Sequence, residues 1–361
     1  MRPRVQGMQN KAEPRILITR LSAIGDCIQS LPLATALRAH FPRAFIAWAV
    51  EKSAAPLIEA CPAVDRVIVV PKRMLASLAL VWNVRQSLLP LAFDISIDPQ
   101  SLSKSSAIGW LSGAKRRIGF TSPCGREISP WLNTELVASR QVHMVDRYLE
   151  LLRPLGIEQP TPNFEVQIPA AAQNSIGEYI ETRQFTGGYA VINPGAGWDS
   201  KRWISERFAR VARHLGREHG LPTIVVWAGE KEHAYARKIA RSSGGQAIVA
   251  PATSLLELAE LMARAKLAIA ADTGPLHLAA AMGTRCVGLF GSTRGQQCGP
   301  YGVENIWLQA AVDASPLRKR PGASNWAMRQ ITARMVCEAC DGVLSRSTSH
   351  VSAPRHVVCS L

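Results

Sequence analysis

The sequence predicts an α/β protein made of two doubly wound halves. Three observations carry that prediction. Short apolar runs of strand type alternate with helical stretches along the chain, a proline-containing linker divides the alternation in two, and glycine-bearing strand-turn-helix units recur in both halves. Such alternation implies parallel sheets with helices on both faces.

In the first half, Arg15-Ile-Leu-Ile-Thr-Arg20 reads as a buried strand and Leu21-Ser-Ala-Ile-Gly25 as a loop, and Asp26 opens a helix that runs to His40 and stops near Pro42. The strands 45–50, 66–70 and 93–98 follow, with one helix over 74–89. A less regular region begins at 116–120, and a helix over 142–155 closes the half. Gly156-Ile-Glu-Gln-Pro-Thr-Pro-Asn163, with two prolines and little apolar content, is the linker. The second half repeats the pattern with strands 189–193, 223–227, 247–249, 266–270 and 286–290 and a helix over 205–219. The expected organisation is a flexible tail over 1–14, a domain over 15–165, a second over 166–344 facing it across a cleft, and a polar tail over 345–361.

The most informative stretch is Ala271-Asp-Thr-Gly-Pro-Leu-His-Leu-Ala-Ala-Ala-Met-Gly283. It follows an apolar strand and carries a helix's own punctuation: a Thr-Gly cap, Pro275 in the first turn and Gly283 at the end. The first turn of such a helix offers backbone N–H groups and the positive end of the helix dipole, a seat for an anion such as a diphosphate. His277 lies one turn after Thr273, so its ring returns to the same end. Taken singly, Asp272 reads as a helix cap and His277 as a half-buried histidine. Together, an acid, a hydroxyl, a glycine and an imidazole within six positions suggest a phosphate site.

Two further groups are candidates. Asp26, at the mouth of the first helix, is either a cap or a carboxylate placed to take a proton from a hydroxyl nucleophile. Gly195-Ala-Gly197 with Lys201 is either a glycine turn before an exposed lysine or a close backbone approach to a phosphate that the lysine neutralises; the Walker spacing is absent.

A formal charge of +15 points to acidic partners: nucleic acid, an anionic membrane surface or a phosphorylated substrate. The basic clusters 115–117 and 318–320 are short and lack interleaved aromatics, which argues against nucleic acid. Eight scattered cysteines, several in apolar segments, suggest a reducing compartment, and Cys337-Glu-Ala-Cys340 is a lone CxxC without a second pair, so neither zinc nor redox use is expected of it. The polar, basic segment 1–13 is not a secretion signal, and no uncharged apolar run is long enough to span a bilayer. The expectation is a cytoplasmic protein, soluble or peripheral at the membrane.

Six motifs in register over residues 15–344 carry a resemblance: Leu21-Ser-Ala-Ile-Gly-Asp26; Asp98-Pro-Gln-Ser-Leu-Ser-Lys104; Gly119-Phe120 with Gly125-Arg-Glu127; His143-Met-Val-Asp-Arg147; Pro194-Gly-Ala196 with Lys201-Arg-Trp203; and Asp272-Thr-Gly274 with His277. With them the chain resembles the bacterial ADP-heptose:lipopolysaccharide heptosyltransferases, most of all heptosyltransferase I. The resemblance implies a GT-B fold of two Rossmann-like domains and an inverting transfer of heptose from ADP-heptose to the Kdo region of the lipopolysaccharide inner core, without a metal or other cofactor. It implies Asp26 as catalytic base in an acceptor-binding first domain, and Lys201, Glu232, Asp272, Thr273, Gly274 and His277 as donor contacts in the second. Lys72, Arg73, Lys104 and Arg126 match acceptor positions, and peripheral contact with the cytoplasmic face of the inner membrane is implied. Where the family offers hydroxyls before the lysine, this chain has Ala196 and Gly197. The alternatives are a non-catalytic sugar-nucleotide-binding protein and a related transferase with another donor sugar.

Overall fold

The strands form where unbroken apolar runs let both faces of a sheet be buried. Ile16, Leu17 and Ile18 of the first strand and all five residues of Leu267–Ala271 are inaccessible to solvent or nearly so, as expected of parallel sheets covered on both sides. The computed structural model describes residues 13–312, 322–345 and 356–358. The chain divides into two compact units, one made of residues up to 23, 30–141 and 145–165, the other of 24–29, 142–144 and 166 onward. The first turn of the helix Ile24–His40, including Asp26, thus groups with the second unit.

The first unit holds a six-stranded parallel sheet of β1 (Arg15–Thr19), β2 (Phe45–Val50), β3 (Arg66–Val69), β4 (Ile95–Ile97), β5 (Arg116–Phe120) and β6 (Glu135–Val137), in the order β3-β2-β1-β4-β5-β6. The chain winds one way from β1 to β3 and the other way from β4 to β6. With right-handed crossovers, the helices Leu78–Leu88, Ser103–Leu111 and Ser129–Leu132 therefore lie on one face and Ile24–His40 and Ala55–Glu59 on the other.

The second unit holds seven parallel strands: β7 (Ala190–Asn193), β8 (Thr223–Val225), β9 (Ala247–Val249), β10 (Leu267–Ala271), β11 (Cys286–Phe290), β12 (Ile306–Gln309) and β13 (His356–Val358), in the order β13-β12-β11-β10-β7-β8-β9. Its winding reverses between β10 and β7. Two apolar clusters fill the faces of this sheet, one around Trp203, Phe208 and Val336, the other around Tyr189, Leu261 and Leu276.

Several elements differ from expectation, each for a local reason. The helix over 74–89 is split: Ser77 is extended (φ −148°, ψ 131°) between a short 3-10 turn, Met74–Ala76, and the helix proper. The helix over 142–155 keeps α geometry only over Met144–Leu149 and tightens to 3-10 over Glu150–Leu155. Pro154 is the reason, since it has no N–H and its ring would strike the carbonyl four residues back. The irregular region at 116–120 contains β5, and β6, β12 and β13 are strands the sequence pattern did not reveal; β13 lies within the segment read as a polar tail. No helix among the described residues is long and apolar enough to cross a membrane.

Candidate active site

In the second unit, the ends of β7 and β10 lie side by side where the winding reverses, the place at which open α/β sheets take ligands. Beyond β10 the chain turns at Asp272 and Thr273 into the helix Gly274–Ala281, with Thr273 extended at the cap (φ −148°, ψ 163°). The Thr273 hydroxyl donates to the Ala271 carbonyl (3.1 Å) and accepts from Asn193 Nδ2 (3.1 Å), so the final residue of β7 braces the cap.

Asp272 is the centre of the arrangement. Its Oδ2 accepts from Lys201 Nζ at 2.5 Å and its Oδ1 lies 3.3 Å from His277 Nε2. Burial pushes the Asp272 carboxyl up, but the His277 hydrogen bond and the Lys201 charge outweigh it and hold the group well below the usual carboxylate range. The other His277 nitrogen, Nδ1, is 3.4 Å from Gln29 Nε2. Gly25 approaches the same ring so closely that a Cβ there would sit 2.7 Å from His277 Cδ2. The helix mouth differs in one respect from the seat expected of it. Pro275 has no N–H, and the Leu276 and His277 amides donate back to the Thr273 carbonyl (3.1 and 3.4 Å). Its pull on an anion therefore comes more from the helix dipole and Lys201 than from a ring of open amides.

Lys201 stands on the 3-10 turn Asp199–Lys201, which is fixed by the Arg202–Asp199 ion pair (2.8 Å). Glu232, in the first turn of the helix Gly229–Ser242, accepts from the Ala228 amide (2.9 Å), and burial raises its carboxyl above the ordinary value against that bond and the Arg202 charge. A Cβ on Gly195 would lie 2.3 Å from Glu232 Oε1, so only glycine lets the 194–197 turn close against this carboxylate. The Trp227 and His233 rings stack beside it, centroids 4.2 Å apart.

In the first unit Lys72 and Arg73 sit on the loop after β3, Lys104 in the first turn of the helix Ser103–Leu111 that follows β4, and Arg126 on the loop after β5. Lys104 Nζ donates to Glu51 Oε1 (2.8 Å) and to the Lys72 carbonyl (2.6 Å), drawing the start of this helix to the segments that follow β2 and β3. Arg126 is tied in through its amide, which donates to the Ser101 carbonyl (3.1 Å), and Glu127 accepts from the Ser103 amide and hydroxyl (2.9 and 2.6 Å). Asp98 anchors the loop from below: fully buried, it accepts from the Ser101 amide (2.8 Å) and the Ser106 hydroxyl, and burial raises its carboxyl despite them. Arg73 is exposed next to Lys72, outside the Lys104–Glu51 contact.

The family model for glycosyltransferase family 9 (heptosyltransferase) matches residues 81–325. The chain belongs to this family. As a family 9 glycosyltransferase it is 26% identical over 326 residues to lipopolysaccharide heptosyltransferase 1 of Pseudomonas aeruginosa, covering 85% of this chain and 86% of that one. It is 28% identical over 309 residues to lipopolysaccharide heptosyltransferase 1 of Salmonella typhimurium, covering 81% and 93%. Among solved structures, the fold is similar to a glycosyl transferase family 9 protein from Veillonella parvula (TM-score 0.81, 24% identity, 94% and 99% covered). It is also similar to E. coli heptosyltransferase WaaC with ADP (TM-score 0.73, 24% identity, 91% and 99% covered).

In this glycosyltransferase the folded chain adds residues that sequence reasoning missed. Asn193 and Gln29 reach the cap and the His277 ring, and Glu51 pairs with Lys104. Half-buried Cys298 has its thiol raised well above the ordinary value, first by burial and then by the carboxylates of Asp272 and Asp26. Only Asn193, an amide ending an apolar strand ahead of Pro-Gly, left a signal in the sequence.

Proposed function

We propose that this enzyme transfers a heptose from ADP-heptose to the Kdo region of the lipopolysaccharide inner core, with inversion at the anomeric carbon and without a metal ion. The observation that carries the reading is the Lys201–Asp272–His277 cluster at the reversal point of the second sheet. The names of the curated relatives support lipopolysaccharide as acceptor, and the ADP in a similar solved structure supports an adenine nucleotide as donor.

In this reading Asp26 takes the proton of an acceptor hydroxyl. The oxygen attacks the anomeric carbon from the face opposite ADP, and the bond from that carbon to the diphosphate oxygen breaks with its electron pair leaving on ADP. The diphosphate competes with Asp272 for the Lys201 ammonium, and the positive end of the helix Gly274–Ala281 meets the charge growing on the leaving group. Thr273 and Gly274 border the diphosphate, Glu232 accepts from a ribose hydroxyl, and Lys72, Arg73, Lys104 and Arg126 meet the acidic acceptor. Asp26→Ala tests the reading: ADP-heptose turnover should vanish while ADP still binds in calorimetry. Wild-type turnover in that variant rejects it.

Peripheral contact with the inner membrane belongs to the same reading. The three helices on one face of the first sheet expose large apolar side chains: Leu78 (88%) and Trp82 on the first, Trp110 on the second, Trp131 (88%) on the third. Residues 71–132 carry eight Lys and Arg against three Asp and Glu, a complement to anionic lipid. The chain should sediment with phosphatidylglycerol vesicles and not with phosphatidylcholine vesicles, and Trp82→Ser with Trp131→Ser should release it. Equal binding to both lipids, or no effect of the two changes, counts against this contact.

A further inference from the structure

Away from the residues discussed so far, three metal-ligating side chains converge on the second unit. The helix Ser205–His219 packs against the helix Ala333–Leu344. Across that contact His214 Nε2 lies 2.7 Å and His219 Nε2 2.6 Å from the same oxygen, Oδ1 of Asp341. The three ligand atoms all lie within 4.8 Å of one another. Two of the chain's eight histidines, on one helix, thus meet on a carboxylate more than a hundred positions further along the chain.

We propose that His214, His219 and Asp341 bind a divalent transition-metal ion of the zinc type, which pins the helix Ala333–Leu344 to the helix Ser205–His219. Two imidazoles and one carboxylate are a borderline donor set, suited to Zn²⁺ or Co²⁺ rather than to Mg²⁺ or Ca²⁺, and three protein ligands leave one tetrahedral position for water. The groups are partly exposed, so a hydrated ion has access. His219 is the last residue of its helix, where the dipole is negative and favours a cation.

Binding moves protons and no electrons. To free its Nε2 lone pair for the metal, each imidazole gives up the Nε2 proton that it donates to Asp341: a neutral ring takes up a proton from solvent on Nδ1 as the Nε2 proton leaves, and a charged ring releases the Nε2 proton to solvent and keeps the one on Nδ1. Metal–ligand bonds of about 2.0–2.1 Å at tetrahedral angles set the ligand atoms about 3.3 Å apart. The nitrogen–oxygen separations therefore open by about 0.6 Å relative to the 2.6 and 2.7 Å hydrogen bonds, within reach of side-chain torsion in partly exposed residues.

The role is structural rather than catalytic. The helix runs back against the strands it connects, so His214 and His219 lie toward the amino ends of the strands, whereas Lys201, Asp272 and His277 lie at the carboxyl ends. Fifteen helical residues span about 22 Å.

The test uses the full chain stripped with EDTA and returned to chelator-free buffer. Zinc chloride at about a hundredfold excess over the dissociation constant should raise the unfolding midpoint by roughly 5 °C. Co²⁺ should give the visible absorption of a tetrahedral site. The shift should be lost in Asp341→Asn and in His219→Gln and kept in Cys337→Ser, with sugar transfer by the Asp341→Asn variant unchanged. Absence of a zinc shift in the wild-type chain, or a shift retained in both Asp341→Asn and His219→Gln, overturns the assignment. Either outcome is independent of the proposed transfer reaction.

Discussion

Replacing Asp272 with asparagine keeps the side chain's shape and removes its charge, leaving the Lys201 ammonium partly buried without its counter-charge. Removing one partner of a buried pair costs about 3–5 kcal/mol. Lys201 and Asp272 are 19% and 11% exposed, so solvent screens the orphaned charge in part and the expected loss is about 2–3 kcal/mol. For a unit of this size that lowers the unfolding midpoint by roughly 5–10 °C. The pH dependence carries the sharper signature. Because the folded Asp272 carboxyl is held below its unfolded value, its stabilisation is complete above about pH 4 and drains away as the pH falls further toward the folded value. Wild type should therefore lose its advantage over Asp272→Asn progressively below pH 4, read by thermal melts across a pH series. A variant melting within about 1 °C of wild type at pH 7, or two curves that stay parallel into acid, would refute the balance of burial and pairing described for this carboxylate.

Lys201→Ala should raise the ADP dissociation constant about ten- to a hundredfold, the worth of one charge-assisted contact, and an unchanged value by calorimetry removes the lysine from the donor site. Gly195→Ala should leave the melting point nearly intact, because the Cβ meets the movable end of Glu232, yet weaken ADP binding by displacing that carboxylate; unaltered affinity would show that Glu232 does not touch the nucleotide. Gly25→Ala meets the buried ring of His277 and should cost about 1–3 kcal/mol in urea unfolding, and a neutral result would mean the ring can step aside.

Local chemistry was legible wherever it was written in neighbouring residues. The helix Ser205–His219 and the strands 247–249 and 286–290 stand where periodicity and apolar runs placed them, and the strand-turn-helix at 271–283 was readable from its own caps. Short strands escaped: β6 buries only Val137 of its three residues, too little for any alternation to show. Helix continuity was overestimated where one extended serine or one interior proline broke a long apolar pattern.

The sequence by itself determined the α/β class, the recurring turns and the identity of the charged groups, because those depend on interactions within a few residues. Tertiary structure alone decided which groups meet: Lys201 with Asp272, Gln29 with His277, Lys104 with Glu51, and two histidines with Asp341. Those pairings depend on strand order and on where the winding reverses. These are set by how the whole chain buries its apolar faces, and no window of neighbouring residues encodes them.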